Sequence, residues 1–304
     1  MNRSELLKMA LFNCFCYILG SLWSVFFGLR GMYPIGVLGV LFLLIIQLIY
    51  TKRHSLALYI EDIIIMPIVI FFGTLLEMTF IRLKIVHYAD ALSHFPPIWM
   101  IAIYALFSLL LNHSLMQVSK KQLPTFLSGF FGVPISYMIG HFFTDLSFPH
   151  GKIIAWLVLG SFWGLFLCFL RAITNRIEAA SKKTFQEMNQ KRPLKLFYDG
   201  GCPICSKEMK QLNKRNADET LKFIDISSKR DFERERKTLS YEQAMSQMHA
   251  LDANGNLLFG LDAFAAAYAH CNRPFISTLL NISFLRPLLN PLYRLFAKHR
   301  MYGR

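Results

Sequence analysis

The first part of this chain has very few charged residues, and acidic residues are scarce throughout. Only 19 Asp and Glu stand against 33 Lys and Arg in 304 residues, and most of these charges follow Arg171. Hydrophobic residues make up 54% of the chain, which is too many for an ordinary soluble protein. The composition therefore indicates an integral-membrane class, and the length allows two units of roughly 100–200 residues each.

Several features of other protein classes are also missing. Six cysteines, scattered along the chain, do not form a disulfide scaffold. No nucleic-acid-binding motif accompanies the net charge of +14, so we expect the basic residues to flank membrane spans and to face anionic lipid. The first apolar run continues to Leu29 without a small-residue cleavage site, which is not the pattern of an ordinary signal peptide.

Six apolar segments each approach the roughly 20 residues that cross the hydrocarbon core of a bilayer. They cover residues 11–29, 35–50, 63–81, 98–115, 126–143 and 153–170, and the second is the shortest. The sequence therefore predicts about six transmembrane helices.

The basic residues of the short loops predict the orientation, because cytoplasmic loops carry the excess of Lys and Arg. Ten lie on one side: Arg3, Lys8, Lys52, Arg53, Lys120, Lys121, Arg171, Arg176, Lys182 and Lys183. Four lie on the other: Arg30, Arg82, Lys84 and Lys152. With an even number of spans, this bias predicts that both termini are cytoplasmic.

Four polar residues fall inside the predicted spans: Glu77, Asn112, His113 and His141. Ionisable groups in hydrocarbon are costly and usually pair inside a helix bundle. In the predicted orientation Glu77 and His141 both lie toward the outer leaflet, so they are a geometrically possible pair, whereas His113 lies toward the inner leaflet. These residues are either a proton or substrate site or structural contacts between helices.

A short pattern in the apolar half resembles a known family. It consists of Asn112-His113-Ser114-Leu115 followed by Gly132-x-Pro134-x-Ser136-Tyr137-x-x-Gly140. The pattern resembles a family of small bacterial integral-membrane proteins of unknown function, over about residues 5–172. The resemblance implies a multi-span membrane fold and no particular activity.

A polar segment separates the apolar half from the rest of the chain. It ends before Pro193, because the residue preceding a proline is pushed out of the helical region. We therefore predict a transmembrane domain over residues 1–175, a linker over 176–192 and a second domain over 193–304.

The second domain has an α/β pattern. Its predicted elements are a strand at Leu194–Tyr198, a helix at Pro203–Asn213, a strand at 221–226, a hairpin around Asn254-Gly255 and a helix at Leu261–His270. The tail after Phe275 is predicted as two short helices broken by Pro287 and Pro291.

The strongest chemical signal is Cys202-Pro203-Ile204-Cys205, at the junction of the first strand and helix of this domain. A cysteine attacks only as a thiolate, which the unpaired N–H groups and the dipole of a helix N-terminus stabilise. Cys202, at the helix start, is predicted to be the nucleophile and the more exposed thiol. Cys205, one turn on, is predicted to resolve a mixed disulfide.

Asp199 precedes this motif and has two interpretations. It is either an acid that assists proton transfer at the thiols, or a side chain that bonds the backbone N–H groups of the turn.

A CxxC is also half of a zinc site. Further ligands would have to come from His249, His270 or Cys271, none of which forms a second CxxC or an HxxxH. We therefore expect no metal and no other cofactor at the site. A vestigial dithiol on a scaffolding domain also remains open.

Four motifs of the second domain resemble the DCC family of thiol–disulfide oxidoreductase-like domains. In order they are Leu196-Phe197-Tyr198-Asp199-Gly200-Gly201-Cys202-Pro203-Ile204-Cys205, Met248-His249-Ala250-Leu251-Asp252, Gly260-x-Asp262-Ala263-Phe264 and Pro291-Leu292-Tyr293-Arg294-Leu295-Phe296-Ala297-x-x-Arg300. The resemblance covers essentially all of residues 194–304. It implies a thioredoxin-like fold with Asp199, Cys202 and Cys205 as the signature residues.

Residues and resemblances together predict an α-helical membrane bundle followed by an α/β thioredoxin-like domain, in a bacterial inner membrane. The predicted function is thiol–disulfide exchange on the cytoplasmic face, as a reductase or a redox sensor, because the cytosol keeps thiols reduced. The predicted partners are membrane lipids and a protein or small-molecule thiol or disulfide, and no nucleic acid. The alternative is a membrane transporter or scaffold, built around Glu77, His113 and His141, whose second domain is regulatory or non-catalytic.

Overall fold

The computed structural model describes residues 3–89, 91, 95–115, 121–190, 192–227 and 240–302. The chain divides into two compact units, Met1–Asn175 and Arg176–Arg304. The first unit is helical, and the second combines a small sheet with helices. Lys120, one of the basic loop residues that predict the orientation, lies outside the described residues.

The first unit is built from apolar helices. They are α1 (Arg3–Gly28), α2 (Tyr33–His54), α3 (Leu56–Arg82), α4 (Ile98–Leu110), α5 (Gln122–Leu127), α6 (Val133–Phe143) and α7 (Lys152–Gln190), with π-helical turns at Leu111–Leu115 and Ser128–Gly132. Only the part of α7 up to Asn175 belongs to the first unit. In the described part of the chain, five helical stretches are long and apolar enough to cross a membrane, with α5 through α6 taken as one. The fourth predicted span is instead a shorter apolar helix, Ile98–His113, whereas the second, predicted as the shortest, forms a helix of 22 residues.

The third predicted span starts earlier than hydropathy indicates. Helix α3 begins at Leu56, where the Ser55 side chain caps it by accepting a hydrogen bond from the Leu58 N–H over 3.3 Å. Glu61 and Asp62 therefore lie within the helix, and both are buried. A hydropathy window excludes such residues because it scores their charge and not their partners.

The exposed surface of the first unit is strongly apolar. Phe71 and Phe142 are 64% and 78% exposed, respectively. Polar side chains lie inside instead, and the buried Gln47 amide donates to the Asn13 side-chain oxygen over 2.7 Å. This distribution is the reverse of that in a soluble protein, and together with the apolar helices it indicates insertion into a membrane.

The second unit contains a four-stranded mixed sheet. Its elements are β1 (Leu194–Tyr198), α8 (Pro203–Asn213), β2 (Leu221–Asp225), α9 (Tyr241–Ser246), β3 (His249–Leu251), β4 (Leu257–Phe259), α10 (Leu261–His270), α11 (Pro274–Asn281), a 3-10 turn (Ser283–Leu285) and α12 (Arg286–Tyr302). The strand order is β2-β1-β3-β4, with β1 parallel to β2, and with β3 antiparallel to β1 and β4. The predicted strands, hairpin and two helices are thereby confirmed as elements.

The core of this unit holds β1 and α8 together. Leu194 and Leu196 of β1 pack in one buried cluster with Met209 and Leu212 of α8. These side chains recur at two-residue spacing on the strand and three-residue spacing on the helix, so each element presents one apolar face. The packing fixes the strand-to-helix junction that carries the cysteines.

The tail after Phe275 forms two helices, α11 and α12, but the break between them lies at the 3-10 turn Ser283–Leu285 and not at Pro287 or Pro291. Pro287 lies in the first turn of α12, where a helix leaves its N–H groups unpaired and loses nothing by a proline. Pro291 lies inside the helix, and its missing N–H affects only the carbonyl four residues earlier, that of Pro287. The helix also packs within the unit, since the Tyr293 hydroxyl accepts from the Met248 N–H over 2.8 Å.

Candidate functional site

The candidate site lies where β1 ends and α8 begins. Cys202 is the N-cap residue of α8, with φ −90° and ψ 116°, and its sulfur accepts a hydrogen bond from the Cys205 N–H over 3.4 Å. Pro203 occupies the first helical turn, where its fixed φ suits the helix. The sulfur of Cys202 thus lies at the N-terminus of a helix, against the Cys205 N–H.

Neither cysteine is in a disulfide, and both are buried. Cys202 is 6% exposed and Cys205 is 5% exposed, so Cys202 is buried almost as fully as Cys205 and the predicted difference in exposure nearly vanishes. The physical reason is the capping contact, which folds the Cys202 sulfur over the helix terminus. Ile204, 60% exposed, forms the outer surface at this point instead.

Asp199 organises the turn that leads into Cys202. The residue is 4% exposed. Its carboxylate accepts a hydrogen bond from the Gly201 N–H over 3.0 Å. Its carbonyl accepts from the Cys202 N–H over 3.2 Å. These contacts match the second interpretation of Asp199, in which the side chain bonds the backbone of the turn, and its catalytic role stays a prediction.

Asp225 is a site residue that the sequence analysis missed. It ends β2 directly beside Tyr198 of β1, and its carboxylate accepts hydrogen bonds from the N–H groups of Gly200 and Ser227, each over 2.9 Å. Partial burial disfavours the charge, but the hydrogen bonds from Ser227 and Gly200 outweigh it and lower the pKa of Asp225. The signal that could have identified Asp225 is the parallel pairing of β1 with β2, because it brings the carboxyl ends of both strands to the same edge of the sheet.

Gly200 is required by this contact. A Cβ at Gly200 would collide with the carboxylate of Asp225. The Gly200 carbonyl also accepts a hydrogen bond from the Ser206 hydroxyl over 2.8 Å, so the turn is tied to the helix as well. Two strands and one helix therefore determine the position of the backbone just before Cys202.

The residues considered as further zinc ligands make other contacts. The His249 ring meets Phe259 edge to face, and a His270 ring nitrogen lies 3.0 Å from the Thr220 hydroxyl oxygen. Cys271 donates to the Leu212 carbonyl over 3.2 Å, and burial raises the pKa of its thiol to about 11. In the described parts of the chain, no three His, Cys, Asp or Glu side chains are grouped so that they would hold a metal ion.

The predicted pairing of Glu77 with His141 is wrong. Three tyrosine hydroxyls donate to the buried Glu77 carboxylate: Tyr88 to Oε1 over 2.7 Å, and Tyr104 and Tyr137 to Oε2 over 2.7 and 2.5 Å. A ring nitrogen of His141 lies 2.5 Å from the Leu146 carbonyl oxygen instead. Tyrosine is counted as a hydrophobic residue when membrane spans are predicted. The hydroxyl groups that bind Glu77 were therefore not recognised as its partners.

His113 has a partner that lay just outside the predicted third span. Its Nε2 lies 2.8 Å from Oδ2 of Asp62, and the Asn112 amide donates to Oδ1 of Asp62 over 2.7 Å. All three residues are buried. The described part of the first unit therefore has a buried polar cluster around Glu77 and a separate one around Asp62.

Two protein-family models match this chain in succession. Residues 10–169 match the model of a protein of unknown function (DUF2878). Residues 196–302 match the model described as DCC1-like thiol-disulfide oxidoreductase. The predicted fusion of a membrane family of unknown function with a DCC-type domain is confirmed.

A curated plant protein is similar to part of the chain. The uncharacterized chloroplastic protein At5g50100 of Arabidopsis thaliana is 33% identical over 109 residues, which is 36% of this chain and 51% of the relative. This chain thus spans about half the length of that relative. No solved structure matches the chain.

Proposed function

Because this chain belongs to the family of proteins of unknown function DUF2878 and carries a DCC1-like region, we propose that it is a membrane-anchored thiol–disulfide oxidoreductase. The observation that carries the proposal is the position of Cys202 as the N-cap of α8, inside the DCC1-like region, with the Cys205 N–H donating to its sulfur. A helix N-terminus is a position at which the attacking cysteine of thiol–disulfide exchange is commonly placed.

The second unit has, in this proposal, a thioredoxin-like fold. Its support is the sheet order β2-β1-β3-β4, in which a parallel pair is followed by an antiparallel hairpin. The α8 crossover between β1 and β2 places the CxxC at the end of an inner strand, and α10 follows the hairpin. We keep the domain limits at 1–175, 176–192 and 193–304.

The chemistry takes place in two steps. The Cys202 thiolate attacks one sulfur of a substrate disulfide, a mixed disulfide forms, and the first substrate thiolate leaves. The Cys205 thiolate then attacks the Cys202 sulfur, releases the second substrate thiolate and closes the Cys202–Cys205 disulfide. Two electrons and two protons pass from the dithiol to the substrate, and a cellular dithiol or thiol reductant returns them.

Asp199 has, in this scheme, a role in positioning and in proton transfer. Its carboxylate shapes the turn through Gly201, and it lies three residues before Cys202. A carboxylate at this point would accept the proton that Cys205 releases when it attacks. Asp199→Asn is expected to keep the turn and to slow the second step, with an altered pH profile.

The test uses the full chain purified in detergent, with Cys14, Cys16, Cys168 and Cys271 changed to Ala. Trapping with a maleimide polymer should count two thiols in the reduced protein and none after glutathione disulfide oxidises it. Cys205→Ser should accumulate a mixed disulfide between Cys202 and glutathione, because the resolving thiol is missing.

The matched control is Cys202→Ser, which keeps one thiol at the second position of the motif. It should form far less mixed disulfide, since Cys205 is not the capping residue. Failure of the parent to form an intramolecular disulfide, or of Cys205→Ser to trap glutathione, would sink the proposal.

We further propose six membrane spans with both termini cytoplasmic, in a bacterial inner membrane. The support is the excess of Lys and Arg on one set of loops and the five long apolar helices with the shorter Ile98–His113. In a cysteine-free chain in intact cells, a membrane-impermeant thiol reagent should label Met32→Cys and spare Lys207→Cys, both exposed positions. Labelling of Lys207→Cys would reverse the orientation, and with it the preference for a reductase or sensor.

A second candidate function is a membrane transporter or scaffold whose second unit is regulatory. The observation that favours it is the pair of buried polar clusters around Glu77 and Asp62, since ionisable groups at membrane depth often mark transport pathways. Replacing Cys202 and Cys205 together separates the two functions. An activity in cells that survives this double replacement but is lost in Glu77→Gln would favour the second candidate.

A further inference from the structure

The first unit encloses a cavity of about 380 Å³ among α1, α4, α6 and α7. Its walls are mostly aliphatic and aromatic side chains, and Trp99 and Trp163 both contribute to them. The volume lies in the range typical of small-molecule sites, which are largely apolar with a few convergent polar groups. Neither the chemistry of Cys202 nor the family description assigns a role to this cavity.

The cavity reaches the outer surface of the helix bundle. Leu22 of α1 and Ile139 and Phe143 of α6 line it, and these side chains are 62%, 53% and 67% exposed, respectively. A wall that is at once cavity lining and bundle surface marks an opening between α1 and α6. Because the bundle surface is apolar, a molecule entering there comes from the hydrocarbon of the membrane.

Three tyrosine hydroxyls converge at one end of the cavity. Tyr88, Tyr104 and Tyr137 line it, and each donates its hydroxyl proton to the Glu77 carboxylate. A hydroxyl whose proton is already donated has only lone pairs left to offer. This end of the cavity therefore presents hydrogen-bond acceptors to a ligand.

Hydroxyl groups on the α5–α6 side are committed in the same way. The hydroxyls of Ser128, Ser136 and Thr144 donate to backbone carbonyls three or four residues earlier, over 2.7, 3.2 and 2.9 Å. All three residues line the cavity. The acceptor character thus extends along this wall.

The lining also carries no formal charge. Among the described residues that line the cavity there is no Asp, Glu, Lys, Arg or His. A charged head group would lose its hydration without gaining an ion-pair partner, which is strongly unfavourable. Phospholipid and fatty-acid head groups are therefore poor occupants.

We propose that this cavity binds a neutral, lipid-soluble molecule whose polar end donates a hydrogen bond, an alcohol or a phenol, which enters between α1 and α6. The apolar part of the ligand lies against the Trp and aliphatic walls, and its hydroxyl donates to the tyrosine oxygens held by Glu77. Binding is independent of the thiols of the second unit.

The test compares two probes of nearly equal size, 4-dodecylphenol and its methyl ether, on the full chain in detergent or lipid nanodiscs. Because Trp99 and Trp163 line the cavity, binding is followed by tryptophan fluorescence. The phenol should bind saturably, and the ether about tenfold more weakly, as expected for one lost hydrogen bond of about 1.4 kcal/mol. Equal affinities, or partitioning without saturation, would overturn the proposal without any variant.

A matched pair of variants locates the site. Gly140 lines the cavity, and the one atom within 4 Å of a Cβ built there belongs to the Leu146 side chain, at 3.8 Å, so Gly140→Leu is the variant chosen to fill the cavity. Ile135→Phe adds bulk on the same helix at an exposed position away from the lining. Phenol binding should fall at least tenfold in Gly140→Leu and remain in Ile135→Phe, and the reverse result contradicts the site.

The thiol chemistry is tested apart from this site. A chain with Cys202→Ser and Cys205→Ser should bind the phenol with unchanged affinity. Loss of binding in that chain would overturn the independence of the two sites, while failure of the thiol-trapping experiment would leave the cavity proposal standing.

Discussion

The backbone N–H of Gly200 donates a hydrogen bond to the carboxylate of Asp225 over 2.9 Å. This contact ties the turn that precedes Cys202 to the end of β2, across 25 positions of the chain. The same carboxylate accepts from the Ser227 N–H, so it closes the end of its own strand too. The geometry of the CxxC therefore depends on a residue outside the motif.

Gly200→Ala is expected to destabilise the second unit by about 1–3 kcal/mol, because the new Cβ collides with the Asp225 carboxylate. Asp225→Ala removes the obstacle, so the double variant should be less destabilised than the sum of the two single variants. The measurement is urea unfolding of the full chain. Unfolding is monitored by the alkylation of Cys271, which is 2% exposed in the folded protein. Additive effects would show that the collision is relieved elsewhere.

Asp225 is expected to make the second unit sensitive to acid. Its hydrogen bonds lower its pKa below 3.8, the ordinary value, so the unfolded chain takes up the proton first. The contribution of the carboxylate is thus complete above about pH 4 and is lost as the pH falls through the lowered value. Urea midpoints between pH 3 and 7 should show the advantage over Asp225→Asn shrinking below pH 4, and a constant difference would contradict this.

Cys271 is expected to be nearly inert toward alkylating reagents. Burial raises the pKa of its thiol from 9.0 to about 11, so at pH 8 its thiolate fraction is about one hundredth of that of an ordinary thiol. A chain with Cys271 as its single cysteine should react with iodoacetamide at least about 100-fold more slowly than the urea-unfolded chain.

The same shift has a consequence for stability. Because the unfolded thiol ionises first, the folded unit should lose stability as the pH rises above 9, and the Cys271→Ala chain should lack this loss. Alkylation of the folded chain at the unfolded rate would contradict both expectations.

Regular elements of the second unit could be predicted because each shows a simple local pattern. The alternation in Leu194–Tyr198, the three-residue spacing of Met209 and Leu212, and the Asn254-Gly255 turn each depend on neighbours in sequence. Helix α9 was not predicted, although Ser240 and Gln243 form a capping box. A Ser followed three residues later by Gln is a sequence signal for the start of a helix.

Contacts between distant residues could not be predicted in this way. The burial of Cys202 depends on which way its sulfur turns, and Glu77 depends on tyrosines from three later segments of the chain. Likewise, the hydropathy pattern starts the third predicted span at residue 63, directly after Asp62. Long-range partners of buried charges are set by packing, which one sequence shows only as polar residues in apolar surroundings.

Either residue of the Asp62–His113 pair is expected to be costly to remove alone, because its partner is then left buried without it. The His113 Nε2 lies 2.8 Å from the Asp62 carboxylate, and both side chains are almost completely buried. Removing one partner leaves a buried charge or a polar group uncompensated. His113→Ala should therefore destabilise the folded protein by about 3–5 kcal/mol.

A double-mutant cycle tests whether the two residues act as a unit. The double change Asp62→Leu with His113→Leu removes the charge and the ring together, and it should cost much less than the sum of the single changes. The control is His54→Ala on α2. His54 is exposed, and in the described residues its side chain has one hydrogen bond, to the Tyr50 carbonyl. It should shift the thermal midpoint of the full chain in detergent by little. If the cycle closes to within about 0.5 kcal/mol of additivity, Asp62 and His113 contribute separately, and the cluster does not hold α3 against the end of α4.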